Sequence, residues 1–395
     1  MKGHVRERGK GNWYAVLSVR DPATGKRKVK WISLPKCKGK RAAENECGKI
    51  VQQMNGGNYI DSSKITVADF LDKWMLDYAA PNVSPKTRER YGQLIKNQIK
   101  PGIGQVELQK LRPVHLTGLY AKLLGDEQTA ETPATLKGAE RGGLSARTVN
   151  HVHRLLHIAL GHAGTWELVK QNIAAFVSPP KVDDVEIVIL TPEQIGRVLI
   201  RVQGITLKPI VELALATGAR RGELLALRLG DFDPTARTMR IERALEQTKA
   251  GLRIKPPKTR HGRRTISLPP TVANELRAHI ARVQERRLAL GIGRATDDDL
   301  LFPRWDGKIR SPRWLTKKFA MLMQALKIDG VTFHSLRHTH ASQLIASGMD
   351  VLTISRRLGH GSPTITLKVY GHLFGNTDAR AAEIMEATFS GLRTE

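Results

Sequence analysis

Cysteine is nearly missing from this chain of 395 residues. Cys37 and Cys47 are the only two, with no CxxC pair and no histidine at metal-finger spacing. A disulfide framework and a zinc ribbon are excluded, and free thiols in a reducing cytoplasm are expected. Long hydrophobic runs are also missing. The most apolar stretch, Pro209 to Ala219, is short and carries Glu212, so no membrane span is expected. The basic residues of Met1 to Arg8 have no apolar run behind them, which argues against a signal peptide. No glycine-rich phosphate loop is present, so no nucleotide cofactor is expected. No repeat of solenoid period appears.

Acidic residues are scarce: 37 Asp and Glu stand against 64 Lys and Arg, a formal net charge of +27. A surplus of that size suits a polyanion, because each basic contact to a phosphate releases condensed counterions. Nucleic acid is the expected partner class, and a ribosomal or merely soluble basic protein is the plainer alternative.

The length suggests two or three domains, and the patterning gives three blocks. The fold class expected is multidomain and mainly α with small β-sheets. In residues 1–58, Trp13–Arg20 and Lys28–Ile32 read as a β-hairpin across an Asp21–Gly25 turn. A helix follows from about Arg41 to Met54, with Ala42, Ala43, Ile50, Val51 and Met54 as inner positions. Residues 1–57 hold 14 Lys and Arg against 4 Asp and Glu, a net +10. A hairpin and helix this basic fit a DNA-groove reader, and the plainer alternative is a solvated basic face.

Residues 64–178 read as all-helical, with starts at Thr66, Ser84-Pro85, Pro113 and Ser145. The last of these helices carries His151, His153, His157 and His162, read as facing solvent or DNA. No acid or cysteine completes a metal set around His153 and His157. Gly125–Gly143 reads as a long loop, with no function assigned. Residues 179–189, with Pro179 and Pro180, read as a linker. The third block, 190–395, reads as helices around a short β region from Thr238 to Leu268.

Four stretches of the third block carry chemistry. Thr217-Gly218-Ala219-Arg220 precedes Leu224, Leu225 and Leu227, which predict a helix with Arg220 at its start. Gly251 to Pro270 holds six Lys and Arg and no acid, and Lys258 is placed near a hairpin tip. In His334-Ser335-Leu336-Arg337-His338-Thr339-His340, His334 and Arg337 share a helix face. An Arg and a His side by side can bind a phosphate and move protons around it. A zinc site from His334, His338 and His340 is the rival reading, and it lacks the acids of a metallohydrolase. Last, Leu358-Gly359-His360 ends one helix, and Ser362-Pro363 starts another that delivers Tyr370. Tyr370 is the only one of six tyrosines beyond residue 120.

In this order and spacing, these motifs resemble the tyrosine recombinase (phage integrase) family. Thr217–Arg220 resembles its first arginine motif, Pro257-Lys258-Thr259 its hairpin lysine, His334–Thr339 its His-x-x-Arg box, and Leu358–His360 and Tyr370–His372 its last two. The resemblance extends over the whole chain. It implies an arm-type DNA-binding domain in 1–58, a helical core-binding (SAM-like) domain in 64–178 and an α+β catalytic domain in 190–395. The His-x-x-Arg box departs in having Ser335 where an Asp is common.

The activity implied is site-specific recombination that integrates or excises a phage or mobile element. Tyr370 would attack a phosphate of duplex DNA, leaving a 3′-phosphotyrosyl link and a free 5′-hydroxyl. Arg220 and Arg337 would clamp the phosphate, Lys258 would protonate the leaving oxygen, His334 would help accept the tyrosine proton, and His360 would hydrogen-bond the phosphate. Glu223 is a candidate support for the arginine or for the fold. Neither metal nor cofactor is implied. Four protomers would assemble on two crossover sites of DNA, with a possible accessory bending or directionality protein. The short amphipathic segment 381–387 would dock on a neighbouring subunit or pack on its own domain. The expected setting is the cytoplasm of a bacterial host, at the nucleoid. A type IB topoisomerase, a DNA-binding regulator without catalysis and a metal-dependent nuclease are the alternatives.

Overall fold

The computed structural model describes residues 3–20, 26–56, 59–60, 63–125, 143–183, 187–257, 259–374 and 378–392. The expected 21–25 turn, nearly all of the 125–143 loop, and Lys258 lie outside the described residues. The chain is mainly helical with small antiparallel sheets, as its patterning implies. It forms two compact units, Met1–Asp183 and Asp184–Glu395.

The first unit opens with three antiparallel strands, Gly3–Glu7, Trp13–Arg20 and Arg27–Ser33, in that order across the sheet. Gly3 pairs with Leu17, and Tyr14 with Ser33. The first strand is missing from the sequence reading because its five residues offer only Val5 to the core side. The helix Lys40–Asn55 packs on this sheet through Ala43, Cys47 and Ile50, which recur at helical spacing. One inner position is thereby corrected and one added: Ala42 is exposed, and Cys47 is buried.

The helices that follow begin where the capping residues fall. Thr66 Oγ1 accepts from Asp69 N, and Asp69 Oδ2 accepts from Thr66 N, a reciprocal box that satisfies two otherwise unpaired donors. Ser84 caps Pro85–Leu94, and Ser145 caps Ala146–Thr165. Phe70, Leu71, Trp74, Leu94, Ile99, Leu116, Leu155 and Leu156 fill the core.

Two of the histidines read as facing solvent or DNA turn inward instead. His153 is buried and shares a 3.0 Å hydrogen bond with the Tyr120 hydroxyl. His162 Nδ1 accepts from Trp74 Nε1 at 3.0 Å. Each histidine satisfies the polar edge of a large buried ring, which would otherwise lose its water without compensation. His151 and His157 are exposed.

In the second unit, Phe232–Asp233, Thr238–Ile241 and Arg264–Ser267 form one small sheet, and Ala244–Thr248 with Gly251–Lys255 form a separate hairpin. The hairpin turns at residues 249–250, and Lys258, expected near a hairpin tip, lies outside the described residues. The helices include Lys208–Thr217, Pro270–Ala289, Pro312–Ala325, Ser335–Ala346, Val351–Leu358 and Pro363–Tyr370. Leu224, Leu225 and Leu227 are all buried, but only Arg221–Leu224 is helical. Their spacing seals the core around a single turn rather than extending a helix. No described helix is long and apolar enough to cross a membrane.

Candidate active site

The Lys208–Thr217 helix stops at Gly218, whose φ of +62° is left-handed and cheap only for glycine. A Cβ there would come within 2.7 Å of His340 and Leu358 side-chain atoms. This stop turns the chain so that Arg220 becomes the N-cap of the next short helix. A second left-handed glycine, Gly359, ends Val351–Leu358. A Cβ at Gly359 would approach the Arg264 guanidinium at 2.9 Å. Both glycines let backbone come close to arginine-bearing segments.

Glu223 organises this side of the site. It is buried, and its Oε1 accepts from Arg220 Nη1 at 2.8 Å. Its Oε2 accepts from Arg264 Nη2 and from the Arg220 backbone N–H, each at 2.9 Å. Burial alone would push its carboxyl up, but Arg264 and Arg220 outweigh burial and hold it below the ordinary glutamate value. The stabilisation is therefore present above the ordinary carboxylate range and is lost as pH falls through the lowered folded value. Glu223→Ala should cost about 3–5 kcal/mol, because it strands a buried guanidinium. Denaturant unfolding at neutral pH checks this, and the gap to the parent protein should narrow in acid.

Arg337 lies at the centre, only 3% exposed. Its Nη1 donates to Gly218 O at 2.8 Å and its Nη2 to Leu358 O at 2.7 Å. One side chain thus ties the first arginine motif, its own box and the Leu-Gly-His motif together. Burial and Arg220 push its guanidinium down, while Glu223 pulls it back, and it stays charged at neutral pH. Arg220 is 43% exposed in its side chain, so one guanidinium faces solvent and the other is fixed inside.

Ser335, in the place where Asp is common, caps locally: its Oγ accepts from Thr332 N at 3.1 Å. His334 is the N-cap residue of Ser335–Ala346. Burial, followed by His338, Arg337 and Arg220, pushes its imidazole down to about 4. His360 Nδ1 shares a 2.8 Å hydrogen bond with Thr366 Oγ1, and burial with Arg337 and Arg220 takes it to about 4 as well. Both rings are neutral at neutral pH, as suits partners inside a cationic cluster.

Tyr370 closes the Pro363–Tyr370 helix and is 1% exposed. Its hydroxyl hydrogen-bonds His338 Nδ1 at 2.8 Å. Burial raises the phenol to about 12, against the pull of Arg337 and Arg220. Arg220, His334, Arg337, His360 and Tyr370 are therefore gathered in one electrostatically coupled cluster, while Lys258 lies outside the described residues.

Sequence reasoning weighs His338 only as a zinc ligand and leaves its pairing with Tyr370 unnoticed. It also leaves out Arg264 and Arg357. Arg357 Nε donates to His340 Nε2 at 3.1 Å, and His340 Nδ1 bonds Leu215 O at 2.7 Å. Both His340 nitrogens are thus engaged, which removes it from a zinc set with His334 and His338. Among the described residues, no group of three or more His, Cys, Asp or Glu side chains could hold a metal ion.

With this geometry in place, comparison with known proteins decides the family. Residues 189–376 match the model of the phage integrase family, and residues 66–124 match that of the phage integrase N-terminal SAM-like domain. The chain belongs to the phage integrase family. It is a tyrosine recombinase, an enzyme of DNA strand breakage and rejoining. Among its relatives, a tyrosine recombinase XerC-like protein of Caldanaerobacter subterraneus subsp. tengcongensis is 24% identical over 370 residues, covering 89% of this chain and 90% of that protein. An integrase of Streptomyces ambofaciens is 27% identical over 390 residues, covering 95% and 93%. In fold, this integrase-family chain is similar to the Tn1549 transposon integrase solved in complex with a circular intermediate DNA. The TM-score is 0.67 at 22% identity, over 82% of this chain and 99% of that one. It is also similar to a lambda integrase dimer bound to a core site, with a TM-score of 0.54 at 17% identity over 94% and 95%.

Proposed function

We propose that this recombinase cuts and rejoins duplex DNA at defined core sites through Tyr370, integrating and excising a mobile element. The observation that carries the proposal is a single tyrosine hydroxyl held inside a cluster of Arg337, Arg220 and neutral histidines. In the attack, the phenol oxygen bonds to phosphorus and the bond to the 5′-oxygen breaks. Each phosphodiester is stored as a phosphotyrosyl ester, so rejoining needs no external energy.

Charge builds on the non-bridging oxygens in the transition state. Arg337 presents the N–H groups not spent on Gly218 and Leu358, and Arg220 adds a guanidinium from the open side. Such a fork matches phosphate oxygens in pairs. His360 and His334, uncharged, serve as hydrogen-bond partners to the phosphate and its surroundings. Lys258 is assigned the proton for the leaving 5′-oxygen on its motif alone. The mechanism uses no cofactor.

The domain assignment accompanies this reading: 1–58 for arm sites, 64–178 for the core site, 179–189 as linker and 190–395 for chemistry. Lambda integrase has been solved as a dimer bound to a core site and as a tetramer bound to a Holliday junction. By analogy, four copies of this chain would act on two duplexes in the bacterial cytoplasm, with an accessory DNA-bending or directionality protein where direction is controlled.

The test is strand exchange between two linear duplexes carrying the element's core sites, with a chelator present. Recombinant products of the expected lengths support the proposal. Relaxation of a supercoiled plasmid lacking the site, without exchange, would give the topoisomerase reading. Tight site binding without any cutting would give a DNA-binding regulator.

A further inference from the structure

The proposed chemistry leaves the phenolic proton of Tyr370 without a settled destination. The sequence offers His334, but the geometry offers a different group. His338 lies one residue beyond Arg337 on the Ser335–Ala346 helix. Its Nδ1 is 2.8 Å from the Tyr370 hydroxyl, and the two rings meet edge-on at 5.6 Å between centroids. His334 stands behind it, edge-on to His338 at 4.8 Å. We propose that His338 is a catalytic residue, the general base that takes the Tyr370 proton on its Nδ1 as the phenol oxygen attacks phosphorus. This rests on the reading of Tyr370 as the nucleophile.

A phenol donates its proton to an imidazole nitrogen only if that nitrogen bears a lone pair, so the neutral ring must carry its hydrogen on Nε2. Burial followed by the neighbouring Arg337 holds His338 below the ordinary histidine value, which keeps it in that neutral form. The groups facing it are His334 and Arg337 from its own helix and helix cap, Tyr370 from the Pro363–Tyr370 helix, and His360. The charged one among these is a cation, so nothing there stabilises an imidazolium until an anion arrives. With the phenol raised to about 12, the proton stays on oxygen in the resting site, and the nucleophile is inert without DNA.

A scissile phosphate brings negative charge beside the ring. The balance is then complete: the O–H bond of Tyr370 breaks as the N–H bond at His338 Nδ1 forms. The phenol oxygen bonds to phosphorus, and the electrons of the phosphorus–O5′ bond leave on the 5′-oxygen. Rejoining runs the same steps backward, and His338 returns the proton to the departing phenol.

The test is single-turnover cleavage of a nicked core-site duplex, followed on a denaturing gel. The parent protein is compared with His338→Ala, His338→Asn and Tyr370→Phe. His338→Ala should cleave about 10²–10⁴-fold more slowly, the usual span for a general base, with site-DNA affinity unchanged. Added imidazole should restore part of the rate. His338→Asn keeps an acceptor near the Nδ1 position but cannot take the proton, so it should be as slow as the alanine variant. A substrate with sulfur in place of the 5′-oxygen, a leaving group that needs no proton, should not rescue either variant.

Cleavage by either variant within a few fold of the parent would overturn the proposal. So would a fast asparagine variant beside a slow alanine one, which would make His338 an anchor only. If the alanine variant fails to fold, the asparagine variant decides alone. If the parent itself forms no adduct on a site it binds, the recombinase reading fails first, and the same gel distinguishes that result.

Discussion

Replacing Tyr370 with Phe is expected to abolish covalent capture of DNA while leaving site binding intact. The phenol oxygen is the atom that would bond to phosphorus, and Phe keeps the ring that fills this buried position, 1% exposed. The cost to the fold should be small. The lost hydrogen bond from the hydroxyl to His338 leaves a half-buried imidazole without a partner, a loss of about 1–3 kcal/mol. A mobility shift with the core-site duplex should therefore be unchanged, whereas a denaturing gel should show no protein–DNA adduct. Retained adduct in the variant would move the nucleophile elsewhere.

The second large effect belongs to Arg337. Arg337→Lys is expected to slow cleavage by about 10²–10³-fold, the span seen when one preorganised donor of a transition-state charge site is removed. Lysine keeps the charge but offers a point donor in place of a planar fork. It cannot hold Gly218 O and Leu358 O together and still present a pair of N–H groups to phosphate. The ground-state affinity for DNA should change only a few fold, because most of the +27 charge remains to bind the backbone. Single-turnover rates and equilibrium binding, measured on the same duplex, separate the two. An equal fall in affinity and rate would instead mean that Arg337 acts in binding.

Much of the fold was legible because local chemistry decided it. Thr66, Ser84 and Ser145 cap helices where their side chains can reach the third residue on. The site motifs were legible for a related reason: five of their residues, Arg220, His334, Arg337, His360 and Tyr370, sit at helix ends or on a helix, where spacing fixes the direction of the side chain. What was not legible depends on distant partners. His153 turns inward because Tyr120, 33 residues away, needs its hydrogen bond. His338 reads from the sequence as a candidate zinc ligand, and its role depends on Tyr370, 32 residues later, coming to rest against it. Arg264 and Arg357 gain their places only when the Arg264–Ser267 strand and the Val351–Leu358 helix pack beside Glu223 and His340. The strand Gly3–Glu7 was hidden because its exposed, charged residues carry no apolar alternation and pairing with its neighbour makes it a strand.

The most direct measurement is the site of attachment on the DNA adduct. The nicked core-site duplex is incubated with the parent protein in the presence of a chelator. The trapped complex is digested with nuclease and trypsin, and the nucleotide-bearing peptide is sequenced by mass spectrometry. Cleavage after Lys368 and Arg380 releases residues 369–380, in which Tyr370 is the single tyrosine. The account predicts a nucleotide linked through its 3′-phosphate to Tyr370. A nucleotide on any other residue, or no adduct from a protein that binds the site tightly, would contradict it.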